Sequence, residues 1–161
     1  MKRRPLILIT NDDGIDAAGI RHLRRALNQV GETVVFAPKS EKSGASHSFS
    51  LRKPLEVVWR GKRTVSVDGT PTDCVMLAVR GLMARRPDLV VSGINHGPNL
   101  GDDVTYSGTV AGAIEGTLLG IPSIAVSCAA WSKPRFDAAA AVAAKIAATV
   151  LKKGLPRNTL L

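Results

Sequence analysis

The apolar positions of the chain predict several short strands. Apolar runs occur at residues 6–9, 33–37, 89–91 and 121–127. The first three lack polar alternation, which is typical of strands covered by helices on both faces of a parallel sheet. Two further runs, at residues 55–59 and 64–67, flank a polar turn that contains Gly61, and this spacing predicts a β-hairpin.

Helical spacing is found between the strands. A first helix is predicted by apolar residues that recur three and four positions apart, and Gly31 is placed to end it. These residues are Ile20, Leu23, Leu27 and Val30. A second helix is predicted to start at Thr70, whose hydroxyl can cap it, with Pro71 in the first turn and Asp73 at the third position. Its apolar face consists of Val75, Met76, Val79, Leu82 and Met83.

Two more helices complete the predicted fold. Residues 108–119 alternate small with larger apolar residues, which predicts a helix packed closely on the sheet, and residues 136–153 are rich in alanine. The latter helix has Val142, Ile146 and Val150 on one side. The order of elements predicts an α/β protein with a three-layer, Rossmann-like fold, a mainly parallel sheet and an inserted β-hairpin, in one domain over residues 1–161.

The last residues, 158–161, indicate the opening of another strand. A short edge strand that ends the domain is one interpretation. We favour the other, in which the chain is the front part of a longer protein.

Length and composition narrow the class of protein. The chain has 161 residues, of which 45% are hydrophobic and 22% charged, as in a soluble globular domain. The apolar run at residues 6–9 is too short for a signal peptide and no run reaches transmembrane length, so we expect a cytoplasmic protein with no membrane partner. Cys74 and Cys128 lack metal-binding or disulfide spacing, which favours two buried thiols.

The charge balance favours anionic partners without choosing among them. Lysine and arginine number 22 against 13 acidic residues, a formal net charge of +9, which attracts nucleotides, polyphosphate, nucleic acid or acidic lipid. The basic residues are dispersed and only 4% of residues are aromatic, so a stacking platform for single-stranded nucleic acid is not expected. Binding to duplex DNA is therefore only a third option, which the salt dependence of binding tests.

Oxygen-bearing side chains follow the predicted strands. Asp12 and Asp13 follow the first strand, Ser43 lies in the loop after the second, and Asn95 follows the strand at 89–91. Because the carboxyl ends of parallel strands form a common ligand-binding edge, we expect these residues to lie close together. Such donors suit Mg²⁺ or Mn²⁺ and not zinc. Taken alone, the NDDG segment at residues 11–14 is also typical of a solvated turn.

An anion site is predicted beside these donors. Ser107, Gly108 and Thr109 open a predicted helix, where hydroxyls and free N–H groups bind phosphate. An ordinary Ser/Thr helix cap is the alternative. Several glycines either let the backbone approach a ligand or are simple turn residues: Gly44, Gly97 and Gly101.

Other polar residues near these segments have simpler interpretations. His47 and His96 lack a pairing pattern, and we interpret them as loop histidines that hydrogen-bond to the backbone. Asp102 and Asp103 form a second acid pair, which we interpret as a solvated loop, with support of Asn95 as the alternative.

Four segments of the chain resemble the SurE (survival protein E) family. They are residues 10–20 (TNDDGIDAAGI), 43–48 (SGASHS), 69–74 (GTPTDC) and 92–116 (SGINHGPNLGDDVTYSGTVAGAIEG). The resemblance implies a Rossmann-like fold and a metal-dependent phosphatase of nucleoside monophosphates, with one Mg²⁺ or Mn²⁺ per subunit. It implies metal ligands at Asp12, Asp13, Ser43 and Asn95.

Within this resemblance we assign roles to the site residues. Catalysis is assigned to Asp12 and Asp13, through a metal-activated water whose proton one Asp accepts, with direct attack by an Asp as the competing mechanism. Substrate and phosphate binding is assigned to Asn11, Gly44, Ser107, Gly108 and Thr109. The expected activity is that of a 5′-nucleotidase, with 3′-nucleotidase and exopolyphosphatase activities as further candidates. The alternative is a catalytically impaired module that binds nucleotide or phosphate.

The chain departs from the family at two places. It has Asp16, Ala17 and Ala18 where the family usually has His, Ala and Pro, so we expect an extra acid near the metal to alter its affinity and the missing proline to loosen the turn. The family's chains also continue into an arm that builds homodimers or tetramers. Because that arm is absent here, we expect oligomerisation to be affected.

Overall fold

The computed structural model describes residues 3–161, which form one mixed sheet with helices on both faces. The strands are β1 (Leu6–Thr10), β2 (Glu32–Pro38), β3 (Val57–Gly61), β4 (Thr64–Val67), β5 (Leu89–His96) and β6 (Ser123–Cys128). The α-helices are α1 (Ala18–Leu27), α2 (Pro71–Leu77), α3 (Asp103–Tyr106), α4 (Gly108–Leu118) and α5 (Phe136–Lys153), and a π-helical turn (Ala78–Leu82) follows α2.

The sheet has six strands in the order β3-β4-β2-β1-β5-β6. β1 lies between β2 and β5 and is parallel to both, while β4 and β6 are parallel to their inner neighbours. β3 and β4 pair antiparallel as the inserted hairpin. The predicted α/β fold with a mainly parallel sheet and an inserted β-hairpin is therefore confirmed.

Side chains of successive β1 residues enter two separate cores. Ile7 and Ile9 belong to a core cluster with residues of α1 and α5, whereas Leu8 belongs to a second cluster with Val75 of α2. Both faces of β1 are fully buried, as the unbroken apolar run predicts. On the second face α4 packs closely, since a Cβ added at Gly112 would lie 2.8 Å from the Ser92 hydroxyl. These layers give the predicted three-layer arrangement.

The α2 N-terminus has the predicted cap. The Thr70 hydroxyl accepts a hydrogen bond from the Asp73 N–H, and the Asp73 carboxylate accepts one from the Thr70 N–H. The α-helical spacing of the predicted apolar face ends at Leu77, because a π-helical turn with a wider backbone follows it. Leu82 at the end of that turn is consequently exposed rather than packed.

Several helix and strand details differ from the sequence predictions. Helix α1 ends at Leu27 and not near Gly31, because a turn over residues 28–30 follows it. β5 continues to His96, so Asn95 is the second-last residue of a strand and does not lie in a loop. Val142 and Ile146 are exposed to 57% and 36%, because α5 packs through its smaller side chains instead. The buried residues of α5 are Ala140, Ala143, Ala147 and Val150.

The last residues and the two cysteines lie as the sequence predicts. Leu161 donates to the Ser123 carbonyl and accepts from the Ala125 N–H, so the last residues pair in parallel with β6, as expected for the opening of a strand. Cys74 and Cys128 are both buried free thiols, as predicted. Within residues 3–161, no helix is long and apolar enough to cross a membrane.

Candidate active site

The predicted ligands meet in a cleft at the carboxyl edge of the sheet. β1, β2 and β5 are adjacent and parallel, so the segments that follow them leave the sheet side by side. The cleft has a volume of about 290 Å³. The predicted site residues that line it are Asp12, Ser43, Gly44 and Asn95.

Asp12 lies at the bottom of the cleft, with 3% of its surface exposed. The Thr109 hydroxyl donates a hydrogen bond to Asp12 Oδ1 and lies 3.4 Å from Asn95 Oδ1, so one hydroxyl connects both predicted ligands. Gly108 is needed here, because an added Cβ would lie 2.8 Å from the Asp12 Cβ. Burial raises the pKa of Asp12 above its usual value, and hydrogen bonds from Thr109 oppose that rise.

Asp13 lies beside Asp12 and is about half-buried. Its Oδ2 accepts a hydrogen bond of 3.2 Å from the His96 N–H, which ties the turn after β1 to the end of β5. Burial raises the pKa of Asp13, and the neighbouring Asp12 carboxylate raises it further. In the part of the chain that the structure describes, neither carboxylate forms a salt bridge with a basic residue. The two neighbouring acids thus have no basic side chain of the described residues within salt-bridge distance.

The loop after β2 reaches the cleft and is held there by hydrogen bonds. The Lys42 N–H donates to the Asp12 carbonyl at 2.7 Å, and Gly44 has a φ of +74°. Ser43 is exposed, and its hydroxyl donates to Glu41 Oε1 at 2.9 Å. Glu41 is a third acid near the pair, since its charge raises the pKa values of both Asp12 and Asp13. No sequence signal marks Glu41 as a site residue, because it lies in a polar stretch of mostly small residues.

Farther along, the same loop is fixed to α3 and α4. The Ser46 N–H donates to the Tyr106 carbonyl and the Ser46 hydroxyl to the Thr105 carbonyl. His47 Nε2 lies 3.0 Å from Glu115 Oε2 and forms a hydrogen bond with this residue of α4. The prediction that His47 contacts the backbone is therefore wrong, whereas His96 Nε2 does contact a carbonyl, that of Trp131, at 3.1 Å.

Three of the predicted phosphate-binding residues have structural contacts of their own. Asn11 is fully buried, and its amide donates to the Gly14 carbonyl at 2.9 Å, which holds the turn. Ser107 caps α4 by accepting from the Val110 N–H at 3.2 Å. Thr109 is fully buried against Asp12. Phosphate contacts at these residues stay predictions.

Asp16 is not part of the cleft lining. It forms an ion pair with Arg60 of β3, with distances of 2.9 Å and 3.1 Å from Arg60 Nη1 to its two carboxylate oxygens. The β-hairpin thus supplies Asp16 with a partner, and an effect of this acid on metal affinity stays a prediction. Asp102 is exposed, as predicted, and Asp103 lies at the rim of the cleft at the start of α3.

The donor set fits a hard divalent cation. Two carboxylates, an amide oxygen and a hydroxyl oxygen line or adjoin one cleft, and Mg²⁺ or Mn²⁺ prefers such oxygens. No lysine or arginine of the described residues 3–161 lines this cleft, in spite of the chain's net charge of +9. No group of three or more His, Cys, Asp or Glu side chains within residues 3–161 has the arrangement of a metal site, so neutral oxygens would have to complete the coordination.

Comparisons with known proteins agree with this architecture. The family model described as survival protein SurE matches residues 7–161. A 5′-nucleotidase SurE from Citrifermentans bemidjiense is 54% identical over 156 residues, covering 96% of this chain and 63% of that protein. A 5′-nucleotidase SurE from Moorella thermoacetica is 50% identical over 161 residues, covering 97% of this chain and 62% of that protein.

A solved structure is similar to the fold described above. The crystal structure of the SurE protein from Aquifex aeolicus matches with a TM-score of 0.91 and 48% identity, covering 95% of this chain and 62% of that one. The chain thus spans less than two thirds of the length of the relatives that it matches.

Proposed function

The chain belongs to the survival protein SurE family, and on that premise we propose that it is a divalent-metal-dependent 5′-nucleotidase. Its substrates are nucleoside monophosphates, which it hydrolyses to nucleoside and phosphate. The observation that carries this proposal is a cleft with the buried Asp12 carboxylate in its lining and Asp13 next to it in the chain, while no lysine or arginine of residues 3–161 lines it.

The electrostatics of the cleft require a cation for phosphate to bind. A phosphate monoester is an anion, and Asp12 and Asp13 would repel it. A protein that binds phosphate without metal usually relies on Arg or Lys, and among residues 3–161 neither lines this cleft. Asp12, Asp13 and the oxygens of Ser43 and Asn95 would hold one cation, Mg²⁺ or Mn²⁺. Asp12, Ser43 and Asn95 line the cleft, and Asp13 follows Asp12 in the chain. When bound, that cation would offset the negative charge of the phosphate and lower the pKa of a water bound to it.

The protein's own groups orient the phosphate and accept a proton. Ser107, Gly108 and Thr109 form the N-terminal turn of α4, whose positive dipole end faces the Asp12 carboxylate. Gly44 presents backbone at the rim of the cleft, and Asn11 holds the turn that carries both acids. Asp12 or Asp13, the carboxylates that would hold the cation, accepts the proton of the attacking water. Direct attack by one of them is the competing mechanism.

The alternative proposal is a module of the same fold that binds nucleotide without turning it over. Both proposals place the ligand in the same cleft, so binding alone does not separate them. Activity toward 3′-nucleotides and polyphosphate, and assembly into homodimers or tetramers, are further parts of the proposal that follow from family membership.

The test is release of inorganic phosphate from 5′-AMP, 3′-AMP and polyphosphate with Mg²⁺ or Mn²⁺ present. We expect turnover of 5′-AMP by the wild-type chain. The control variant is Glu32→Gln, which changes an acid that pairs with Arg63 at the start of β2, on the opposite edge of the sheet from the cleft, and should keep full activity. Saturable binding of AMP with no phosphate release under any of these conditions would support the binding module instead.

A further inference from the structure

Trp131 is a large exposed aromatic residue at the rim of the cleft. Its side chain lines the cleft together with Asp12 and Asn95, and 75% of the residue's surface is accessible. Exposing so much indole to water forfeits the free energy that burial would give. The hydrolysis proposed above does not use it, since no reacting group lies on this side chain.

The indole is held in place by the end of β5. An added Cβ at Gly97 would lie 2.5 Å from Trp131 Cζ3 and 2.9 Å from Cε3 and Cη2, so the ring rests directly against the Gly97 backbone. Gly97 also has a φ of +108°, which other residues rarely adopt. The Trp131 carbonyl contacts His96 Nε2 at 3.1 Å, and the His96 ring packs edge-on against Phe136 at 5.9 Å. The ring is thus fixed near the cleft while most of its surface faces solvent.

One polar side chain near Trp131 already has a partner, since the Asn99 amide N–H donates to the Ser127 hydroxyl at 2.7 Å. The other large exposed side chain on the lining is Tyr106, with 66% accessibility. The outer part of the cleft therefore offers aromatic surface, whereas its inner part offers oxygen ligands. That division matches a ligand with a charged phosphate at one end and a flat ring at the other.

We propose that Trp131 stacks on the nucleobase of the substrate while the phosphate lies at Asp12 and Asp13. This inference rests on the proposed nucleotidase function and adds the residue that recognises the base. Stacking tolerates every base because each has a π-face, and the larger face of a purine gains more than that of a pyrimidine. We therefore expect broad use of nucleotides with a preference for purines.

Kinetics on substrates with and without a base test the proposal. In the metal-loaded protein, Trp131→Ala should raise the KM for 5′-AMP by about tenfold or more, since loss of one stacking partner has that effect. Its kcat for AMP, and its KM for ribose 5-phosphate, should stay within about twofold of wild type, because neither depends on the base. Trp131→Phe keeps a ring and should restore most of the affinity for AMP. An equal loss toward both substrates, or no loss toward AMP, would overturn the proposal.

A binding measurement separates this inference from the nucleotidase proposal. Trp59 is the other of the chain's two tryptophans and lies in β3, where it packs against Phe36, so Trp59→Phe leaves Trp131 as the sole indole. In that variant, AMP and adenosine should quench the fluorescence and ribose 5-phosphate should not. Quenching without phosphate release from any substrate would uphold stacking and reject the nucleotidase. Absence of quenching by AMP and adenosine, or equal quenching by ribose 5-phosphate, would reject stacking.

Discussion

The Thr109 hydroxyl donates a hydrogen bond to the Asp12 carboxylate across 97 positions of sequence, and this bond joins the first turn of α4 to the end of β1. Both residues are buried, and the same hydroxyl lies 3.4 Å from Asn95 Oδ1 at the end of β5. Thr109 therefore fixes the relative positions of two predicted metal ligands. Its bonds also lower the pKa of Asp12 against the effect of burial.

Removing that hydroxyl should weaken metal binding. The Thr109→Val variant keeps the shape of the side chain but removes the hydrogen bond to the Asp12 carboxylate, so the pKa of Asp12 should rise further. We expect the affinity for Mn²⁺, measured by titration calorimetry near pH 7, to fall by about tenfold, the effect typical of losing a group that orients a metal ligand. Thr109→Ser keeps the hydroxyl and is the matched control. Equal affinities in the valine and serine variants would show that the bond has no such role.

Asp13→Asn should stabilise the metal-free chain at neutral pH. Folding favours the protonated form of Asp13, because the pKa of this residue is raised above 3.8 in the folded state. The free energy of unfolding of the wild type therefore falls as the pH rises from about 3.8 through the folded-state pKa. Asparagine does not ionise, so the variant does not lose this free energy. Urea unfolding in a chelator should give a higher midpoint for the variant at pH 7, with the difference shrinking below about pH 4. A lower midpoint for the variant at pH 7 would contradict the account.

The hydrogen bond between His47 and Glu115 should hold the loop that carries Ser43 and Gly44. Glu115→Ala removes the partner of His47, and we expect it to lower the free energy of unfolding by about 1 kcal/mol and to raise the KM for AMP. Glu115→Gln keeps an acceptor at the same place and should retain most of both properties. The measurements are urea unfolding and steady-state kinetics. Wild-type KM in Glu115→Ala would mean that the other bonds from Ser46 hold the loop unaided.

Asp16→Ala should leave metal binding almost unchanged. Asp16 is 74% exposed in its side chain and pairs with Arg60, so its charge is screened by solvent and by its partner. We expect Mn²⁺ affinity within about twofold of wild type and a change in stability below about 1 kcal/mol. A tenfold change in affinity would show that Asp16 contributes to the metal site after all.

The sequence predicted the site where it depends on strand order. Four apolar residues followed by two acids indicate a buried strand that ends at a ligand-binding edge, and the neighbouring strands β2 and β5 then bring Ser43 and Asn95 to it. Details that depend on packing were not predictable. Periodicity marks the larger apolar residues of α5, Val142 and Ile146, but the helix turns its alanines toward the core.

Contacts between distant segments also escaped the sequence analysis. Glu115 carries no signal for pairing with His47, which lies 68 positions away, and Arg60 carries none for pairing with Asp16. β5 extends through Ser92 and Gly93 because neighbouring elements bury these small residues, although their composition suggests a loop. Trp131 follows β6 in a segment without periodicity, and its contacts with Gly97 and His96, which place it at the cleft, carry no signal in the sequence.

Phosphate release from 5′-AMP before chelation, after chelation and after the return of Mg²⁺ or Mn²⁺ tests the central claim most directly. We expect chelation to abolish turnover and the added cation to restore it. We also expect Asp12→Asn and Asp13→Asn each to lower the restored turnover by at least about a hundredfold, because the anionic charge that holds the cation is reduced. Full turnover after exhaustive chelation, or near-normal turnover in both variants, would contradict a metal-dependent reaction at Asp12 and Asp13.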